Sequence, residues 1–320
     1  VAESLRLDGK VALVTGAGRG LGRSYALALA HRGAKVVVNN RIRPGLEHEP
    51  PVAAAVAEEI EQAGGRAAVS AHDISRREGA RAAVATAVDT FGALDIVINN
   101  AGVAHSQTFE GYPQGDFESL MAIHVHGTWA VCQEAWAQLA RSGGGRIVNT
   151  VSRAAYLGDP QGAAYATAKG ATHGLTRALA VEGAAQGIKA NAICPAAWTP
   201  LYDRAATDID EEAREELKRR FRTEYVAPVI VALAHESCPC TGEVITAMGG
   251  RVNRYFVGET PGIEVGLDFT SEEFLDRLPD VWDEHGYTTI GLAMPGRRGG
   301  ATPVAEVPAA ARRVTAGREL

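Results

Sequence analysis

The sequence predicts an α/β protein, a single doubly wound parallel sheet with helices on both faces. Three observations predict it. Short β-branched runs alternate with amphipathic helical stretches from residue 11 to residue 195. Gly and Pro punctuate the joins. A glycine-rich turn follows the first run and opens the first helical stretch. Parallel neighbours need crossover connections, and helical crossovers cover both sheet faces. The chain has 320 residues, 46% of them hydrophobic, enough to bury the core of one large domain.

The elements follow in order. Val11–Thr15 is an apolar strand, and an amphipathic helix runs from the glycine turn to Arg32. Lys35–Asn39 is the second strand and Ala53–Ala63 the second helix. Ala67–Ala71 reads as strand, Arg76–Phe91 as helix and Asp95–Asn99 as strand. A long helical pattern spans Phe117 to Leu139. Arg146–Val151 is a strand, Gly162–Gln186 a helix, and Lys189–Cys194 a strand ended by Pro195. The rhythm then changes. Asp210–Arg220 is a dense charged helix, read as a lid beside the site or as a solvated face. Val226–Leu233 and Glu243–Thr246 close the alternation. The expected division is a catalytic domain over 1–250 and an extension over 251–295, packed on the core or on a neighbouring subunit. That extension carries an acidic helical stretch from Ser271 to Trp282. Residues 296–320 lack a periodic apolar face and are expected to be mobile.

Composition narrows the function classes. A net charge of −6 disfavours nucleic-acid and membrane-surface roles. No apolar run approaches a membrane span. The first ten residues are charged and lack a signal-peptide core, so the cytoplasm is the expected compartment. The four cysteines, Cys132, Cys194, Cys238 and Cys240, form neither a CxxC pair nor a disulfide framework. Cys238-Pro-Cys240 has no nearby His or second Cys pair to complete a metal site, and no metal is expected.

Thr15-Gly16-Ala17-Gly18-Arg19-Gly20-Leu21-Gly22 lies where the first strand turns into the first helix. Glycines permit the sharp turn and let a pyrophosphate approach the helix N-terminus. With a strand before it and a helix after it, the turn predicts a Rossmann-type dinucleotide site. An acidic residue at the end of the second strand would bind the ribose 2′-hydroxyl of NAD, whereas a basic one tolerates the 2′-phosphate of NADP. This chain reads Asn39-Asn40-Arg41-Ile42-Arg43 there. The balance favours NADP(H) over NAD(H). Asp73 and Ile74, at the end of the third strand, are placed to touch the adenine.

Tyr165 and Lys169 stand four residues apart on one helix, with Ser152 ahead of them. Positions i and i+4 share a helix face, so phenol and ammonium can point into one pocket. A free tyrosine, with a pKa of about 10, is a poor base near neutrality, and a nearby cation favours the phenolate. The pair is therefore expected to transfer protons at physiological pH, with Ser152 bonding the oxygen that gains or loses the proton.

Together these features resemble the short-chain dehydrogenase/reductase superfamily. The matching residues are Thr15-Gly16-x-x-x-Gly20-x-Gly22, Asn99-Asn100-Ala101-Gly102, Ser152, Tyr165-x-x-x-Lys169 and Asn191-x-x-x-Pro195. The resemblance covers about Leu7 to Gly250 and implies roles. Gly16, Gly20 and Gly22 would cradle the pyrophosphate, with Arg19 and Leu21 between them. Asn100, Ala101 and Gly102 would flank the adenosine ribose. Tyr165 would be the general acid/base, Lys169 would bind the nicotinamide ribose, and Ser152 would hold the substrate oxygen. Pro195 would contact the cofactor, and Thr199 would reach the nicotinamide carboxamide. The family usually places an asparagine at the position of His124, where it holds a water that links the lysine to solvent. His124 could hold that water, carry the proton itself, or be a buried histidine bonded to backbone. His126 is expected to point elsewhere. Relatives pair their long helices, so a homo-oligomer, tetramer or dimer, is implied.

Ala12 to Asn39 and His235-Glu236-Ser237-Cys238 look more narrowly like the dehydrogenase part of the peroxisomal multifunctional enzyme type 2 family. That resemblance implies NAD-linked oxidation of 3-hydroxyacyl-CoA esters. The expected chemistry is reversible hydride transfer between nicotinamide C4 and a secondary alcohol or ketone carbon. Ala104–Tyr112, Ala154–Gly158 and Trp198–Phe221 are the expected substrate walls, with Ala104, Tyr156, Leu157, Trp198 and Leu201 lining an apolar pocket. Two other readings stand beside it. One is a ketoreductase for a bulky cyclic ketone. The other is a non-catalytic dinucleotide sensor, which would be free to lose the Ser152, Tyr165 and Lys169 set.

Overall fold

The computed structural model describes residues 5–42, 51–205, 209–292 and 301–303. Two compact units result, Val1–Tyr255 and Phe256–Leu320.

The first unit alternates as its sequence predicts. β1 (Val11–Val14) leads to α1 (Gly20–His31), β2 (Lys35–Asn39), α2 (Val52–Gln62), β3 (Arg66–Ser70), α3 (Arg77–Phe91) and β4 (Ile96–Asn99). α4 (Gln114–Met121) and α5 (Thr128–Arg141) are joined by a π-helical turn over Ala122–Gly127. β5 (Arg146–Thr150), α6 (Ala154–Leu157), α7 (Ala163–Glu182) and β6 (Lys189–Ala196) follow. α8 (Pro200–Ala205), α9 (Glu211–Arg220), α10 (Ala227–Ala234), β7 (Val244–Met248) and β8 (Arg251–Tyr255) complete the unit. The eight-stranded sheet has the order β3-β2-β1-β4-β5-β6-β7-β8. All neighbours are parallel except the antiparallel pair β7 and β8. The strand order reverses between β1 and β4, and ligands of such sheets bind beyond the strand C-termini at that crevice.

The central strands are buried throughout. Val14, Ile98, Val148 and Ile193 pack with Tyr25 and Leu29 of α1, Val56 and Ile60 of α2, and Ile230 of α10. Each such side chain contributes about 1.5–3 kcal/mol on burial. Polar side chains stitch the strand ends that carry the site. The Thr15 hydroxyl accepts from the backbone N–H groups of Asn100 and Ala101, and the Asn100 amide donates to the Thr15 carbonyl. Asn99 donates to Asn149, and Asn149 donates to Thr176 of α7 at 3.0 Å. The strands on either side of the crevice are thereby fixed to each other and to α7.

Four expectations are corrected here. The long helical pattern is interrupted by the π turn. Pro195 does not end its strand. β6 runs through it to Ala196 and pairs there with Ala247 and Met248 of β7. Its pairing with β5 has already ended at Ile193. A proline without an N–H is tolerated where only one side of a strand is paired. β8 lies beyond residue 250 but belongs to the first unit, because it adds to β7 as a hairpin through Gly249 and Gly250, both at positive φ. The stretch from Ser271 to Trp282 is two short helices, because a proline opens the second.

The second unit contains β9 (Gly258–Glu259), α11 (Ser271–Asp276), α12 (Leu278–Trp282), β10 (Thr288–Ile290) and β11 (Ala301–Pro303). Thr270 and Glu273 form a capping box at α11. β11, β10 and β9 make an antiparallel sheet. Of the segment expected to be mobile, only 301–303 lies among the described residues, and it is strand. Backbone pairing with β10 needs no apolar period.

Candidate active site

The glycine turn is held by close packing. Gly16 and Gly20 have φ of +64° and +55°, values that favour glycine. A Cβ on Gly16 would lie 2.7 Å from the Cα of Ala101, and one on Gly22 would lie 2.3 Å from the Gly16 carbonyl oxygen. The turn therefore sits directly against the β4 loop that carries Asn100 and Ala101. Thr199, on the loop after β6, faces it from the other side, 3.4 Å from a Cβ built on Gly20. Arg19 is the N-cap residue of α1, Leu21 is half-buried, and the first turn of that helix has no acidic residue. A helix start with glycines and without carboxylates suits a pyrophosphate. These residues fit a dinucleotide.

The end of β2 carries the expected specificity residues. The Asn40 side chain lies against Gly18, with its Oδ1 3.1 Å from a Cβ built there. Exposed Arg41 pairs with Asp73 at 3.7 Å. The other carboxylate oxygen of Asp73 accepts from the Ser75 N–H and hydroxyl. Ile74 is buried. Arg43 lies outside the described residues.

Ser152, Tyr165, Lys169 and His124 come together. Ser152 lies just past β5, and its hydroxyl bonds the Tyr165 phenol and accepts from the Ala154 N–H. The Lys169 Nζ lies 5.5 Å from the centre of the Tyr165 ring and donates to the Thr150 carbonyl at 2.7 Å. Both side chains leave the same face of α7, as the i, i+4 spacing requires.

The electrostatics differ from the expectation that Lys169 lowers the phenol pKa. Burial pushes the Tyr165 phenol up to about 12, against the lowering effect of the Ser152 hydrogen bond. Burial also draws the Lys169 amine down to about 7. Desolvation penalises both charged forms. At neutral pH the phenol is protonated.

His124 sits in the π turn with its ring edge-on to Tyr165, centroids 5.5 Å apart. Its Nε2 lies 2.7 Å from the Val103 carbonyl oxygen and 3.2 Å from the Val103 N–H, and the shorter contact favours the tautomer with the proton on Nε2. Burial, and then the Lys169 charge, lower its pKa to about 3. The ring is neutral at physiological pH, which speaks against its carrying the proton as a cation. Its buried Nδ1 has no hydrogen-bond partner among the described residues and is an acceptor. The Cε1 would meet a Cβ on Gly102 at 2.3 Å, so the ring also fixes glycine at that position. His126 is exposed, as expected. Among the described residues, no group of His, Cys, Asp or Glu could hold a metal ion.

The expected pocket residues separate into two groups. Tyr156 packs against His173 and Tyr255, with centroids 5.3 and 5.0 Å away. Trp198 packs against Tyr202 of α8 at 5.1 Å and under the Arg214 guanidinium at 5.7 Å. Ala104, Leu157 and Leu201 are exposed. The sequence reading named neither Thr150 as the anchor of Lys169 nor the pairing of Thr15 with Asn100. Thr15 did stand inside the glycine motif, and its position at a strand end was the available signal.

Residues 10–211 match the short chain dehydrogenase family. The chain belongs to that family. This short chain dehydrogenase is an oxidoreductase of alcohols and ketones that uses a nicotinamide dinucleotide. It is 37% identical over 256 residues to the peroxisomal multifunctional enzyme type 2 of Mus musculus, which covers 79% of the chain and 34% of that enzyme. It therefore spans about a third of the length of that relative. It is 39% identical over 212 residues to a 3beta-hydroxysteroid dehydrogenase of Mediterraneibacter gnavus, covering 66% of the chain and 74% of the relative. Its fold is that of a short chain dehydrogenase from Mycobacterium avium. That structure matches with a TM-score of 0.75 at 33% identity, over 87% of this chain and 96% of the other.

Proposed function

We propose that this enzyme interconverts a secondary alcohol and a ketone in 3-hydroxyacyl thioesters, preferring NADP(H) to NAD(H). The observation that carries the reading is the convergence of Ser152, Tyr165 and Lys169. A dinucleotide held at the glycine turn would supply or accept the hydride. The protein moves the proton and holds the reacting oxygen. In carbonyl reduction, the protonated Tyr165 phenol gives its proton to the oxygen as charge builds on it, while Ser152 donates to that same oxygen. In alcohol oxidation the phenolate takes the proton back. With the phenol pushed up to about 12, the resting arrangement is set to give a proton. Lys169, buried and anchored on Thr150, carries the positive charge that offsets the phenolate when one forms. His124 offers Nδ1 as a neutral acceptor beside the pair.

The thioester class rests on the likeness to the peroxisomal multifunctional enzymes. A second reading, a bulky cyclic ketone or alcohol, rests on the hydroxysteroid dehydrogenase likeness. A turnover screen decides between them. 3-Hydroxybutyryl-CoA, acetoacetyl-CoA, cyclohexanone and a 3-ketosteroid are each assayed with both cofactors, following reduced-nicotinamide absorbance. Turnover on the thioesters alone supports the first reading, and turnover on the ring ketones alone supports the second.

The cofactor preference rests on Arg41 and on the absence of a carboxylate at Asn40. Arg41→Ala is expected to raise the KM for NADP about tenfold while changing that for NAD by less than about twofold. Equal losses for both would remove the argument. We place the chain in the cytoplasm as a homo-oligomer. Its four free thiols and the exposed Trp129 on α5 support these two assignments. No helix among the described residues is long and apolar enough to cross a membrane.

A further inference from the structure

Arg214 reaches from α9 to two neighbouring segments. Lys218 and Arg219 pair with Glu215 and Glu216 within the helix, at 2.6 and 2.8 Å. Arg214 instead bridges from α9 to Asp203 of α8, adds Glu211 at 3.6 Å, and lies over the Trp198 ring at 5.7 Å. It is half-buried. Tyr202 of α8 also packs against Trp198, edge-on at 5.1 Å. One guanidinium thus ties the end of β6, α8 and α9 together around a single indole.

That indole is well placed. Trp198 precedes Thr199, which abuts the glycine turn at Gly20. The Thr199 hydroxyl and carbonyl accept from the N–H groups of Tyr202 and Asp203, opening α8. The Trp198 N–H donates to the Phe221 carbonyl at 2.6 Å, fastening the loop to the end of α9. α8 has six residues, too few to hold itself as a helix. Its position depends on Thr199 at one end and on Arg214 through Asp203.

We propose that Arg214 is a positioning residue for the substrate. By clamping Asp203 and lying over Trp198, it holds α8 and the indole as a preformed apolar wall next to Thr199 and the glycine turn, and so sets substrate affinity and not the rate of the chemical step. The proposal rests on the oxidoreductase reading of this site. Arg suits the task better than Lys, because a planar guanidinium can pair with a carboxylate and stack on an indole together.

The test uses Arg214→Gln and Arg214→Lys in the full chain. Kinetics are measured with 3-hydroxybutyryl-CoA and cyclohexanone. R214Q is expected to raise the KM for the carbon substrate about tenfold, with kcat and the dinucleotide KM within about twofold. R214K should recover part of the loss. In a chain keeping Trp198 as its one tryptophan (Trp129, Trp136 and Trp282 replaced by Phe), R214Q should raise the iodide quenching constant about twofold. An unchanged quenching constant overturns the proposal, and so does an unchanged substrate KM. Parallel losses in kcat and dinucleotide KM would show a general structural role and overturn it as well. If the parent chain turns over neither substrate, the functional reading fails for those classes, and quenching still decides whether Arg214 holds the indole.

Discussion

Tyr165→Phe is expected to lower kcat by about 10³-fold or more while leaving dinucleotide affinity within about twofold. The phenol oxygen is the one atom lost. The ring stays packed beside Leu120, Ala164 and Ala168 and edge-on to His124. Ser152 keeps its bond from the Ala154 N–H. Stability should therefore change by less than about 1 kcal/mol. Initial rates by nicotinamide absorbance and binding by nicotinamide fluorescence separate the two effects. A variant that turns over at the parent rate would strip the phenol of its role. The parent should also lose stability as the pH rises above 10, because its phenol, raised to about 12 by burial, holds a proton that the unfolded chain gives up. The Phe variant should lack that part of the loss.

Lys169→Met is expected to remove most turnover and yet stabilise the fold. Burial lowers the amine from 10.5 to about 7. Between those values the unfolded chain binds the proton more readily than the folded one. The amine therefore opposes folding most strongly below about pH 7, and its cost fades as the pH rises toward 10.5. Methionine has no charge to desolvate, so the variant should gain on the order of 1–3 kcal/mol at pH 6, with a smaller gain at pH 9. Thermal melts at both pH values measure it. A variant less stable than the parent at pH 6 would mean that the amine is better solvated than its surroundings indicate. A residue that destabilises the fold where it serves the chemistry is an expected trade.

The architecture was legible because its signals are local and repeated. Each of β1 to β6 shows as a short apolar run, and glycines at positive φ mark several of the joins, the glycine turn among them. Ser152, Tyr165 and Lys169 were legible from helical spacing and strand position. The protonation states were not. They depend on how much water the fold removes from around the phenol and the amine, and no spacing reports that. Thr150 holds Lys169 through its carbonyl, a group every residue has, so its identity carries no signal. β8 was hidden because all but the last of its residues are exposed, without alternation. The grouping of Trp198 with Arg214 joins residues sixteen apart through a cation over a ring, and sequence periodicity does not register such a contact.

The widened turn at Ala122–Gly127 holds one residue more than an α-helical turn would. Winding the same residues as a regular α-helix would swing everything on one side by about 100° relative to the other. Either His124 would leave the side of Tyr165, or Val131, Ala135 and Leu139 would turn away from the interior they fill. The extra residue thus lets one continuous helix present His124 to the site and its later residues to the core.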